Sequence, residues 1–176
     1  MDYRNNIIKS NTINQVIKLY EDLINQDYNV IVVLDIDDTV LSSIYGRNFV
    51  EKEICLLVDL VYSSNPSNLL FLTARDINLR QYTINKLNHS GLLHKDKYIN
   101  YNVICSPCDD EGNSTKGVRL KKYIVSELDK NILTNNKKNW IIFVDDLMEH
   151  IESVFKYFED GLLDINYTLV HYRYKK

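Results

Sequence analysis

Cysteine is scarce in this chain of 176 residues, which holds three: Cys55, Cys105 and Cys108. An odd, sparse set excludes a disulfide framework. Long apolar runs are lacking as well; no stretch approaches the roughly 18 residues of a membrane span. The opening Met1-Asp2-Tyr3-Arg4-Asn5-Asn6 is polar and acquires no apolar segment of the secretory-signal kind. These lacks together point to a cytoplasmic, reducing location and no membrane partner. A basic surplus is missing too. The net charge is −3, so no global positive field exists to hold a nucleic-acid backbone, and strong nucleic-acid binding is not expected. Repeats, linkers and low-complexity stretches are absent, which at this length predicts a single domain over residues 1–176.

Apolar residues make up 45% of the chain, an ordinary globular share. They concentrate in short runs. Val30-Ile31-Val32-Val33-Leu34 is continuous and β-branched, like a parallel strand covered on both faces. Similar runs are Leu69-Leu70-Phe71-Leu72, Tyr101-Asn102-Val103-Ile104, Trp140-Ile141-Ile142-Phe143-Val144 and Tyr167-Thr168-Leu169-Val170. Between them the spacing turns helical. Residues 12–26 set Ile13, Val16, Ile17, Tyr20, Leu23 and Ile24 on one face, and Thr12 with Gln15 resembles a capping box. Further helices are predicted over about 49–62, 76–90, 117–129 and 147–158, the first of these carrying Ile54 and Leu57, the second stopping at Gly91. Strand alternating with helix predicts an α/β protein. Its form is a Rossmann-like three-layer fold on a central parallel five-stranded sheet, with an N-terminal helix at 12–26 and a catalytic core at about 30–170.

The polar residues at the strand ends carry the chemistry. Leu34-Asp35-Ile36-Asp37-Asp38-Thr39 leaves the first run directly into three carboxylates, which is costly unless a cation sits there. The second run ends in Thr73, within Leu72-Thr73-Ala74-Arg75. The fourth ends in Asp145-Asp146, and Lys116 opens a helix. In a parallel sheet, carboxyl ends of strands and the helix starts near them share one edge, where ligands bind.

The order D-x-D-x-T, an apolar strand ending in Thr, a lysine, and an apolar strand ending in D-D resembles the four motifs of the haloacid dehalogenase (HAD) superfamily. The first motif is most similar to its capless, acid-phosphatase-like branches, and the match spans residues 30–146. The resemblance implies a Mg²⁺-dependent phosphomonoester hydrolase. Asp35 would attack phosphorus and form an aspartyl-phosphate. Asp37 would protonate the leaving group, then activate water, and its backbone carbonyl would ligate the metal. Thr73 would bond a phosphoryl oxygen, and Lys116 would neutralise nucleophile and phosphate charge. Asp145 would hold the metal, with Asp146 directly or through water. Oxygen-only ligands and a phosphate substrate favour Mg²⁺ over Zn²⁺. Residues 40–68 and 74–115 leave no room for a full cap domain. The mouth would then be bounded by the loop after Thr39 and the acidic loop Ser106 to Thr115, and would admit a phosphate borne on a macromolecule.

Each residue also has a plainer role. Thr73 could cap the next helix. Lys116 could be a surface lysine, with Lys121 or Lys122 in its place. Asp145 or Asp146 could be only a helix cap. Arg75 could contact substrate or form a structural ion pair, and Arg47 and Tyr45 lie in the loop where substrate would approach. Cys105-Ser106-Pro107-Cys108 is a C-x-x-C unit with no second pair for zinc, read as coincidence rather than redox chemistry. The alternative to a phosphatase is a non-catalytic phosphate-binding or regulatory protein on the same fold.

Overall fold

The computed structural model describes residues 6–43, 49–93, 98–107, 114–128, 137–159 and 165–174. The strands are β1 (Asn6–Ser10), β2 (Asn29–Leu34), β3 (Leu69–Asp76), β4 (Val103–Ser106), β5 (Asn139–Asp145) and β6 (Asn166–Tyr172). The helices are α1 (Asn14–Asn25), α2 (Ile54–Ser64), α3 (Arg80–Ser90), α4 (Lys116–Leu128) and α5 (Met148–Glu159). All strand pairings are parallel, in the order β1-β6-β5-β2-β3-β4. The protein is therefore α/β, with one six-stranded parallel sheet flanked by helices. The five strands expected from the apolar runs are present. The sixth, β1, is an addition to those five, its Asn-Ile-Ile-Lys-Ser carrying too short an apolar pattern to signal a strand. It forms by pairing Asn6 to Ser10 with Thr168 to Tyr172.

The continuous apolar runs reflect burial on both faces. Along β2, Val30, Val32 and Leu34 face a layer built by α1, α2 and α3, whereas Ile31 and Val33 face α4 and α5. In β5, Trp140, Ile142 and Val144 alternate in the same way with Ile141 and Phe143. Helix bounds shift a little from expectation. Thr12 and Gln15 form no capping box; Ile13 flanks α1, and its backbone N–H donates instead to Glu51 Oε2 at 2.5 Å. Residues 49–53 precede α2, and β3 runs on to Asp76 before a short 3-10 turn, so α3 starts later than its periodicity suggested. Gly91 does end α3, in the left-handed conformation that glycine takes without strain (φ 75°).

The sheet order sets where a ligand can enter. From β2 the chain steps outward to β3 and β4, then crosses back to β5 on the other side of β2. The reversal lies between β2 and β5, and a parallel sheet opens a crevice beyond the strand ends at such a point. The start of α4 borders that crevice and packs tightly against α5. A Cβ added at Gly117 would lie 2.0 Å from the Ser153 carbonyl oxygen and 2.6 Å from Tyr157 Cδ2. Gly117→Ala should therefore destabilise the fold by about 1–3 kcal/mol, the usual cost of overpacking, although alanine is the better helix former. Urea denaturation measures this; a variant as stable as wild type would contradict so close a helix contact.

Candidate functional site

Leu34 pairs with Phe71 on β3 and with Val144 on β5, so Asp35, Thr73 and Asp145 all come just past the last shared row. Asp35 is anchored by its N–H to the Val144 carbonyl at 2.9 Å. The chain then reverses in a tight coil. Val40 and Leu41 N–H groups both donate to the Ile36 carbonyl, at 3.0 and 2.8 Å. Asp38 takes a left-handed conformation (φ 60°), which aspartate tolerates better than most residues. Its carboxylate accepts from Ser43 N at 2.9 Å and Ser43 Oγ at 2.7 Å. Of the three acids in the first motif, Asp38 therefore serves the loop.

Lys116, at the first position of α4, lies inside and is only 1% exposed. Its Nζ bonds Asp35 Oδ1 and also Asp145 Oδ2, the latter at 2.7 Å. The surface-lysine reading is excluded. Lys121 instead lies over the Tyr157 ring, and Lys122 is exposed. Asp145 is fully buried, and its other oxygen accepts from Leu147 N at 2.9 Å and faces His150 Nδ1 at 3.0 Å. Asp145 thus does cap the segment entering α5, but with one oxygen only.

Asp35, Asp145 and Asp146 offer carboxylate oxygens that all lie within 4.8 Å of one another. Crowding and burial show in their acidity. Burial, then the charge of Asp145, pushes Asp35 up to about 7 against the opposing pull of Lys116. Burial and the neighbouring Asp145 push Asp146 up to about 6. Among the described residues no lysine or arginine lies within ion-pair distance of Asp146. A divalent cation at the three carboxylates would relieve that charge, and all-oxygen donors suit a hard ion.

The remaining expected residues divide. Thr73 is fully buried, and its Oγ1 accepts from Arg75 N at 3.2 Å. It caps no helix; Asp76 holds the following turn by accepting from Asn78 N at 2.7 Å. Arg75 forks onto both oxygens of Asp37, at 2.9 and 2.5 Å, which makes it an ion-pair partner in this structure. Tyr45, Arg47, Cys108 and the acids Asp109, Asp110 and Glu111 of the acidic loop lie outside the described residues. Cys105 is a buried free thiol pushed up by burial, the opposite of the lowered acidity a reactive cysteine needs.

Two side chains at this edge were not singled out in the sequence. Arg119 sits three residues after Lys116, a helical spacing that could have revealed it. His150, in the first turn of α5, offered no local signal beyond its distance from Asp145. A separate cavity of about 290 Å³, lined in part by Tyr62, Ser67, Tyr101 and Asn102, lies at the amino ends of β3 and β4. Its lining carries neither carboxylate nor cation.

Residues 44–176 match a family described as "Protein of unknown function (DUF2608)". The chain belongs to that family. The matched region holds Thr73, Lys116, Asp145 and Asp146 and begins after Asp35 and Asp37. No curated protein matches the chain. No helix among the described residues is long and apolar enough to cross a membrane.

Proposed function

We propose that this protein is a Mg²⁺-dependent phosphomonoester hydrolase of the HAD type, acting through an aspartyl-phosphate on Asp35. One observation carries the reading: Lys116 joins Asp35 to Asp145 at the sheet's switch point, with an Asp146 oxygen in the same cluster. In the first half-reaction a carboxylate oxygen of Asp35 attacks phosphorus, and the bond to the leaving oxygen breaks. Asp37 protonates that oxygen, then takes a proton from the water that hydrolyses the acyl-phosphate. Lys116 offsets negative charge on nucleophile and phosphate, and the Thr73 hydroxyl orients a phosphoryl oxygen. Asp35, Asp145, Asp146 and the Asp37 carbonyl would hold Mg²⁺. When bound, it supplies the positive charge that lets a phosphate dianion approach several carboxylates.

The same reading makes the fold HAD-like and capless. Among the described residues, 40–68 hold α2 and a short turn and 77–107 hold α3 and β4, with no further domain over Asp35. An uncovered mouth suits a bulky or macromolecule-borne phosphate, with few remote contacts to a small one. Free thiols at Cys55 and Cys105 accord with a cytoplasmic setting. One observation favours the alternative of a phosphate-binding protein without turnover. Arg75 occupies both oxygens of Asp37, so that carboxylate must release or share the guanidinium before it can handle a proton.

The deciding experiment measures kcat/KM with Mg²⁺ for an aryl phosphate, mononucleotides, phosphopeptides and phosphorylated oligonucleotide ends. Turnover should appear, stop with chelator, and return on adding Mg²⁺. Full activity in excess chelator would remove the metal from the account. Phosphate binding with no turnover on any substrate would favour the alternative.

A further inference from the structure

Arg119 is a buried cation in an unusual position. Its residue is 8% exposed, and among the described residues no carboxylate comes within ion-pair distance of it. Burying a guanidinium without a counterion is unfavourable. Burial lowers its pKa from the usual arginine value, and nearby Cys105 and Asp35 act in the opposite direction. Two of its donors go to backbone carbonyls. Nη1 donates to the Thr73 carbonyl at 2.6 Å, and Nε donates to the Ser114 carbonyl at 3.1 Å.

Both carbonyls stand next to the crevice. The β3–β4 ladder is irregular between Leu72 and Asp76, and Arg119 takes the Thr73 carbonyl in that gap. Ser114 lies two residues before Lys116, and the Arg119 N–H also donates to the Thr115 carbonyl at 3.1 Å. One side chain therefore ties the end of β3, which carries Thr73, to the start of α4, which carries Lys116. Charge-assisted bonds of this kind are the stronger sort, and arginine's fixed fork gives them direction that lysine lacks.

We propose that Arg119 is a positioning residue of a phosphate-binding crevice, holding Thr73 and Lys116 in the mutual placement that a phosphate dianion requires. This rests on the reading of the crevice as a phosphate site. Affinity is the quantity to follow, because a merely structural role lowers the amount of competent protein without changing the affinity of what remains. Calorimetric titration of the full chain with inorganic phosphate in the presence of Mg²⁺ compares wild type, Arg119→Lys and Arg119→Ala. Hydrolysis of an aryl phosphate is followed in parallel. Arg119→Lys keeps the charge and loses the fork, and should bind phosphate at least about tenfold more weakly. Guanidinium ion should restore part of the affinity of Arg119→Ala and none of that of wild type; if Arg119→Ala does not fold, Arg119→Lys carries the test. An unchanged phosphate affinity in Arg119→Lys, with wild type hydrolysing normally, overturns the role and leaves the hydrolase standing. Weakened affinity in Arg119→Lys with an inert wild type upholds the role and overturns the hydrolase. A wild type that binds no phosphate overturns both.

Discussion

Asp35→Asn should abolish phosphatase turnover while the protein stays folded. The amide occupies nearly the same volume but is a poor nucleophile, so the covalent route closes. Removing a nucleophile from a coupled set typically costs about 10⁴–10⁶-fold in kcat. Folding should not suffer, because Asp35 is itself a strained group. Its pKa is raised from the ordinary 3.8 to about 7, chiefly by burial. The native state therefore binds more protons than the unfolded state between those values, and metal-free stability falls as pH rises through that window. Asp35→Asn should flatten that slope and match or exceed wild type in Tm at pH 7 without metal. Turnover near the wild-type rate, in a preparation free of contaminating phosphatase, would end the aspartyl-phosphate mechanism. A metal-free wild type whose stability rises with pH over the same window would contradict the burial of Asp35.

Lys116→Met should damage both stability and turnover. Nζ bonds two buried carboxylates, Asp35 and Asp145, and methionine leaves both without it. Breaking a buried ion pair from one side typically costs about 3–5 kcal/mol. The lower end is expected here, because Asp35 can take up a proton once its cation has gone. Turnover should fall by about 10²–10³-fold, the loss seen when one preorganised charge-stabilising donor is removed. Mg²⁺ should recover part of the stability, since it supplies positive charge to the same carboxylates, but not the turnover, since it cannot donate from the position of Nζ. Urea denaturation with and without Mg²⁺, beside a rate measurement, separates the two. A variant with wild-type stability and rate would place Lys116 outside the chemistry.

Much of the candidate site was legible because the residues lie at ends of elements. A continuous apolar run has to stop where the sheet meets solvent, so Asp35, Thr73 and Asp145 could be assigned to one edge without knowing the strand order. Lys116 was legible as the first residue of a helix returning to that edge. The partners of these residues were not. Arg75 stood open between substrate and ion pair until its fork met Asp37, 38 positions away in sequence. Arg119 reaches Thr73 across 46 positions; its helical spacing from Lys116 marks a shared face of α4 but not that partner.

The sequence by itself determined the alternation of strand and helix, the covering of the sheet on both faces, and the placement of acids, threonine and lysine at strand ends and a helix start. Periodicity and run length are local, and they report which face of an element is buried. Only the tertiary structure decided that residues 6–10 form a sixth strand, since five residues with two isoleucines become β1 only when β6 supplies their hydrogen-bond partners some 160 positions away. It alone decided that Lys116 bridges Asp35 and Asp145, that His150 faces Asp145, and that Arg119 spans Thr73 and Ser114. Such choices depend on which groups meet after the chain has packed, when each buried donor must take an acceptor within reach.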